Sequence, residues 1–326
     1  MPEFDPHPWQ PLPAPKLTDE FAKNDLLAEA TLIEVGAEGP EDIAVGQDGT
    51  MFTGTADGSI LAVDPSGAVS LVADVGGRPL GVEKYGDDLV VSNADLGLQL
   101  VSKQGNVKTL VDTIDGERMM LANNATVASD GTIYFTDSSR RWNLENYVND
   151  LVEGQPTGRV FSRSLDGSVV RLADGLQFAN GVALDGAEES IFIAETGRYR
   201  VYRHWIKGER AGEAELFLDN LPGFPDNLSF GGDTLWVSLA SPRQGALDIM
   251  QPRAWMRTLT YRMPESLKPK PVRHGIVLGY NDEGLLTHNL QDTTGTVAIT
   301  TSARFHEGWL IVGMLKDPMF GVLELP

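Results

Sequence analysis

Five side chains carry the chemistry most readily read from this chain: Glu41, Asn123, Asn180, Asp226 and Asn227, each an oxygen donor at the entry to a short apolar strand. Two carboxylates and three amides supply two formal negative charges and three neutral oxygens. That set suits a hard cation, since calcium takes about 6 to 8 oxygens in flexible geometry. The places left over for water or substrate give the set the character of a catalytic site. Taken singly, Asn180-Gly181 is a hairpin-turn pattern and Pro225-Asp226 a turn start. A shared phase sets them apart. Glu41 and Asn123 stand eight residues before a turn glycine, and Asn180 and Asp226 stand six before theirs. A second phase, at the ends of the following strands, holds Asp95, Asp137 and Glu195.

The elements that would position these groups repeat along the chain. Turn glycines recur at Gly49, Gly86, Gly131, Gly186, Gly232 and Gly308, intervals of roughly 40 to 75 residues with several short strands in each, which suits a radial β-repeat. The fold class expected is all-β: a six-bladed β-propeller in which the first strand of each blade lines the central channel. Donors at the starts of those strands then form a ring around the axis. Proline at positions 2, 6, 8, 11, 13 and 15 makes residues 1–23 an extended arm, leaving 24–326 as one propeller domain. Residues 24–35 read as a helical turn and a strand that joins the last blade.

Two stretches break the repeat. Residues 140–157 carry Trp142, Leu144, Tyr147, Val148 and Leu151, and residues 242–271 carry Leu247, Met250, Trp255, Met256, Leu259, Tyr261 and Met263 with approximate helical spacing. Both are expected to lie over the channel mouth as partly helical insertions. Trp142, Tyr147, Trp255 and Met256 are the expected walls of a substrate pocket, together with Leu80. In the last blade the first strand is expected at residues 297–300.

Composition narrows the partners. With 46 acidic against 26 basic residues and a net charge of -20, the surface repels nucleic acid and anionic membranes. The absence of cysteine excludes thiolate catalysis and disulfides and fits a reducing compartment. No basic-then-apolar leader and no run of 18 apolar residues is present, so a cytoplasmic protein without a membrane anchor is expected. Nothing in the pattern specifies an oligomer.

The segments Glu41-Asp42, Arg78-Pro-Leu-Gly81, Tyr134-Phe-Thr-Asp-Ser-Ser139, Phe178-Ala-Asn-Gly181, His204-Trp-Ile-Lys-Gly208 and Asp219-Asn-Leu-Pro-Gly-Phe-Pro-Asp-Asn227 resemble strictosidine-synthase-like proteins, in the branch typified by adipocyte plasma membrane-associated protein. The likeness covers roughly residues 39–325. It implies a six-bladed propeller in the superfamily of paraoxonases, gluconolactonases and regucalcin. It implies also that Glu41, Asn123, Asn180, Asp226 and Asn227 hold a catalytic calcium, and that a second, structural calcium corresponds to Asp42 and Asn124, where the family has Asp at the latter position. The histidine pair of the paraoxonases falls on Leu80 and Asn93, and the last-blade glutamate of strictosidine synthase falls near Ile299-Thr300-Thr301.

The function expected is therefore calcium-dependent hydrolysis of a small-molecule lactone or aryl ester, the ion polarising the carbonyl for attack by water. Glu41 and Asp226 are ligands, with Asp226 an alternative base or nucleophile, and Asp137 and Glu195 are candidates to activate water. Two alternatives from other classes stand beside it: a non-catalytic binding propeller with a structural calcium, and a condensing enzyme of the strictosidine-synthase type. None of the five histidines is placed by the pattern at the channel.

Overall fold

In the computed structural model, which describes residues 2–325, six four-stranded antiparallel sheets surround a channel. Their innermost strands are Ile43–Val45, Pro79–Tyr85, Ala122–Val127, Ala179–Leu184, Gly223–Gly231 and Thr300–His306. Each touches the next, and the sixth touches the first, so the ring is closed. The chain is a six-bladed β-propeller. Blade 6 is built from both ends of the chain: Thr31–Glu34 pairs antiparallel with Met319–Glu324, setting Leu32 opposite Gly321 and Ile33 opposite Phe320.

Local sequence explains the hairpins. All six turn glycines lie between the first and second strands of a blade. Five have φ between 62° and 88°, and in the fourth blade Glu188 takes the left-handed position instead. The alternation of apolar side chains then buries both faces of the inner strands against neighbouring blades. Between blades 4 and 5, Phe192, Val201, Leu235, Val237, Ile276 and Leu278 form one such layer. In blade 6 the inner strand starts at Thr300, later than its apolar run suggests. Ile299 sits at φ 54°, and that left-handed residue turns the chain into the strand.

Three helices cover one mouth of the channel: α1 (Tyr147–Glu153), α2 (Gly245–Met250) and α3 (Ala254–Tyr261). The N-terminal arm is strapped across them. His7 N donates to Glu153 O at 2.8 Å, and Phe4 stacks on Tyr261 with centroids 4.2 Å apart. Arg257, fully buried, donates to the carbonyls of Val152 (2.5 Å), His7 (2.7 Å) and Gln251 (3.2 Å), joining α1, the arm and the α2–α3 turn.

Candidate metal centre

Irregularity in the inner strands builds the site. In five of the six blades the pairing of first and second strands slips by a β-bulge: between Pro79 and Gly81, Ala122 and Ala125, Ala179 and Val182, Pro225 and Leu228, and Thr300 and Ser302. A bulge places two residues against one and re-aims their side chains. The residues caught in these slips include Leu80, Asn123-Asn124, Asn180-Gly181 and Asp226-Asn227. Carbonyls released from the ladder still need donors, and buried hydroxyls supply them. Thr136 and Ser138 donate to Asn180 O and Ala179 O at 2.7 Å, Thr196 to Pro225 O at 2.6 Å, and Thr301 to Glu41 O at 2.7 Å. Each hydroxyl comes from the blade beside the one it holds. Gly181 is required by close approach rather than by a turn, since a Cβ there would stand 2.5 Å from Asp226 O.

Glu41, Asn123, Asn180 and Asp226 line one cavity of about 140 Å³, and Asn227 is buried beside Asp226. The oxygen Oδ1 of each of Asn123, Asn180 and Asn227 is buried without a hydrogen-bond partner. Asn123 spends its amide nitrogen on Ser138 Oγ (3.0 Å), which leaves its oxygen free. Burial, reinforced by the Glu41 carboxylate, pushes Asp226 well above the usual carboxylate range. Burial also raises Glu41, against the opposing pull of Arg78, whose Nη2 lies 2.8 Å from Glu41 Oε2. Unsatisfied buried oxygens beside two mutually repelling carboxylates are costly, and a divalent cation is the partner that relieves both. The residues present therefore fit a single calcium. Among the described residues no three His, Cys, Asp or Glu side chains group as an ion site; the ring here takes most of its donors from amides.

Above the ring the cavity is apolar. Leu80, Leu144, Tyr147, Val148, Leu151, Phe178, Phe224, Leu247 and Met250 form its walls. Phe178, at φ 63°, is a strained residue immediately before the Asn180 bulge, a conformation that persists only where the surroundings impose it. Of the expected pocket residues, Leu80 and Tyr147 are in the walls. Trp142, Trp255 and Met256 are not. Trp142 is buried under α1, its indole donating to Glu153 Oε2 at 2.7 Å, and Trp255 points outward at 68% exposure.

Two expected catalytic carboxylates are also otherwise engaged. Asp137 is bound by Arg159 at 2.5 Å and by Leu121 N, and Glu195 by Arg200 at 2.5 Å and by Gln177 N. Neither lines the cavity. Asp137 and Arg159 are directly opposite across the sheet, as are Glu195 and Arg200, so cross-strand ion pairing explains both. The buried arginine missed at the site is Arg78, which also donates to Gly39 O; its presence in a segment with Leu80 and Gly81 was the available signal. Asn93 donates to Gly76 O and Gln99. No histidine lines the cavity.

The second ion position does not fit. Asp42 Oδ2 accepts from Val82 N and from Asn124 Nδ2, each at 3.2 Å, and Arg304 Nη2 stands 3.8 Å from Asp42 Oδ1. Asn124 Oδ1 is already used by Val182 N at 3.1 Å.

A closed six-bladed ring with a carboxylate and amide cluster at the axis is the class that fold and site define. The strictosidine synthase family model matches residues 123–209, and the strictosidine synthase-like N-terminal model matches 19–63. The adipocyte plasma membrane-associated proteins of Homo sapiens and Gallus gallus are 34% and 33% identical to this chain, over 99% of it and 84% of their own length. The chain belongs to the strictosidine-synthase-like family, in the branch of those proteins. Among solved structures, a gluconolactonase from Xanthomonas campestris shares the fold (TM-score 0.68, 19% identity, 92% of this chain and 91% of that one). So does a calcium-binding regucalcin from Agrobacterium tumefaciens (TM-score 0.64, 13% identity, 90% and 91%). No helix among the described residues is long and apolar enough to cross a membrane.

Proposed function

We propose that the cavity holds one calcium ion and hydrolyses an ester or lactone carrying a bulky apolar part. The observation that carries this reading is the trio of unpartnered amide oxygens, on Asn123, Asn180 and Asn227, beside the Glu41 and Asp226 carboxylates. When bound, calcium would polarise the scissile carbonyl and offset the charge that develops on its oxygen. The chain's own side chains do the rest. Arg78 fixes Glu41 in place, and Asp226 is the cavity carboxylate with no arginine partner, placed to take the proton of an attacking water. The aliphatic and aromatic walls take the acyl or aryl group, and the helices with their arm exclude bulk water. Calcium binding in a regucalcin of the same fold and lactone chemistry in a gluconolactonase support the class of reaction. The walls favour an aryl ester or long-chain lactone over a hydroxylated sugar lactone.

The test is turnover of phenyl acetate, a long-chain lactone and gluconolactone by purified protein of known metal content, with and without chelator. Chelator-sensitive hydrolysis of the first two is expected; preference for the sugar lactone overturns the substrate class. One observation favours a second reading, a binding propeller without chemistry: Leu80 stands where a base is expected from the paraoxonases, and Asp137 and Glu195 are locked to arginines. In that case calcium binds, Asp226→Ala abolishes ligand uptake, and no ester in the panel turns over.

A further inference from the structure

Beyond the Glu41 and Asp226 ring, the channel holds a second set of buried charges. Asp42 follows Glu41, Asn124 follows Asn123, Glu83 comes from blade 2, and Arg304 reaches in from blade 6. Arg304 Nη1 lies 2.9 Å from Glu83 Oε2 and Nη2 3.8 Å from Asp42 Oδ1, while the side chains of Asp42, Glu83 and Arg304 are 3%, 15% and 21% exposed. Arg304 and Glu83 also line a separate cavity of about 220 Å³ bounded by Val127, Leu184 and Phe230, residues at the far ends of the inner strands. The guanidinium thus stands between the two ends of the channel. Two buried carboxylates of one sign demand a counter-charge, because an uncompensated buried charge is strongly destabilising. Here that charge is covalently part of the chain.

We propose that Arg304 is the protein's resident axial cation, taking the place of a second metal ion, and that its removal leaves Asp42 and Glu83 to take a divalent cation in its stead. The guanidinium is permanently charged and offers a planar fork of donors, so it offsets the charge of Asp42 and Glu83 at any calcium concentration. Its deletion leaves oxygen donors around a vacated space, the arrangement a hard dication takes. This holds whether or not the Asp226 ring binds an ion, because the prediction is a difference in count.

Equilibrium dialysis with radioactive calcium, on the parent, Arg304→Ala and Arg304→Lys, reads that difference. Arg304→Ala should bind one calcium more per chain than the parent, and its melting temperature should rise more steeply with calcium than that of Arg304→Lys. Arg304→Lys keeps the charge and should gain no ion. Two ions on the parent overturn the proposal, as do equal counts on the parent and Arg304→Ala. Failure to recover soluble Arg304→Ala even in millimolar calcium overturns it too, since an ion should then replace the lost guanidinium.

Discussion

Replacing Asp226 with Asn should move two properties in opposite directions. In the ion-free protein Asp226 and Glu41 share one buried cavity and each disfavours the other's charge. Holding both ionised would cost about 4 kcal/mol for like charges about 4 Å apart at an effective dielectric of 20, and the proton that burial favours on Asp226 relieves part of it. Asparagine keeps the shape and an oxygen but removes the charge, so the ion-free protein should gain on the order of 1 to 3 kcal/mol after partial relaxation, several degrees in Tm. The same change halves the formal charge offered to calcium. Affinity should fall by about 2 to 4 kcal/mol, roughly 30- to 1,000-fold, and turnover should be lost with it. Differential scanning calorimetry in chelator gives the first quantity, and calcium titration calorimetry the second. A less stable ion-free variant with unchanged calcium affinity would refute the reasoning, because it would make Asp226 an ordinary structural aspartate.

Other outcomes follow from the lid and the ring. Asp150, buried in α1 against Ser139, is pushed up to about 7 by its burial. Between roughly pH 4 and 7 the folded state therefore keeps a proton the unfolded chain has lost, and stability declines as pH rises through that window by on the order of 2 to 4 kcal/mol. Asp150→Asn should flatten the decline and be the more stable form at pH 8, as read by urea melts across pH. Arg257→Ala should free three carbonyls from their shared donor and loosen the lid by about 2 to 4 kcal/mol, seen as faster protease cleavage in residues 242–271 and a raised KM. Gly181→Ala forces a methyl against the backbone of blade 5 and should cost on the order of 3 kcal/mol or more; a wild-type urea midpoint would contradict the close approach described for it.

What could be read without coordinates was whatever depends on neighbours in sequence. Turn glycines and the Asn and Asp residues before apolar strands are local signals, and their common phase was enough to imply a ring. The bulges were not legible: Asn180-Gly181 reads as a hairpin turn, and only the approach of Leu228 and Asp226 explains its glycine. Arginines defeated the reading for a different reason. Arg78 and Arg304 reach across blades on long flexible stems, so their spacing from Glu41 and Asp42 carries no pattern. Arg200, by contrast, lies one short hairpin after Glu195, and a cross-strand ion pair was there to be seen. Composition marks an insertion as apolar without saying which side faces the cavity, so Trp142, Trp255 and Met256 lie away from the walls they are expected to form.

The closure of blade 6 has a consequence for how the molecule is made. Thr31–Glu34 leaves the ribosome before the five other blades, yet its hydrogen-bonding partner, Met319–Glu324, follows all of them. Until blade 6 is made that first strand has no native partner, and the innermost strand of blade 1 lacks its neighbour from blade 6. Ring closure thus waits until the five other blades have been made, across a sequence separation that spans the whole propeller. Slow final annealing and a need for chaperone protection of the open seam follow from that topology.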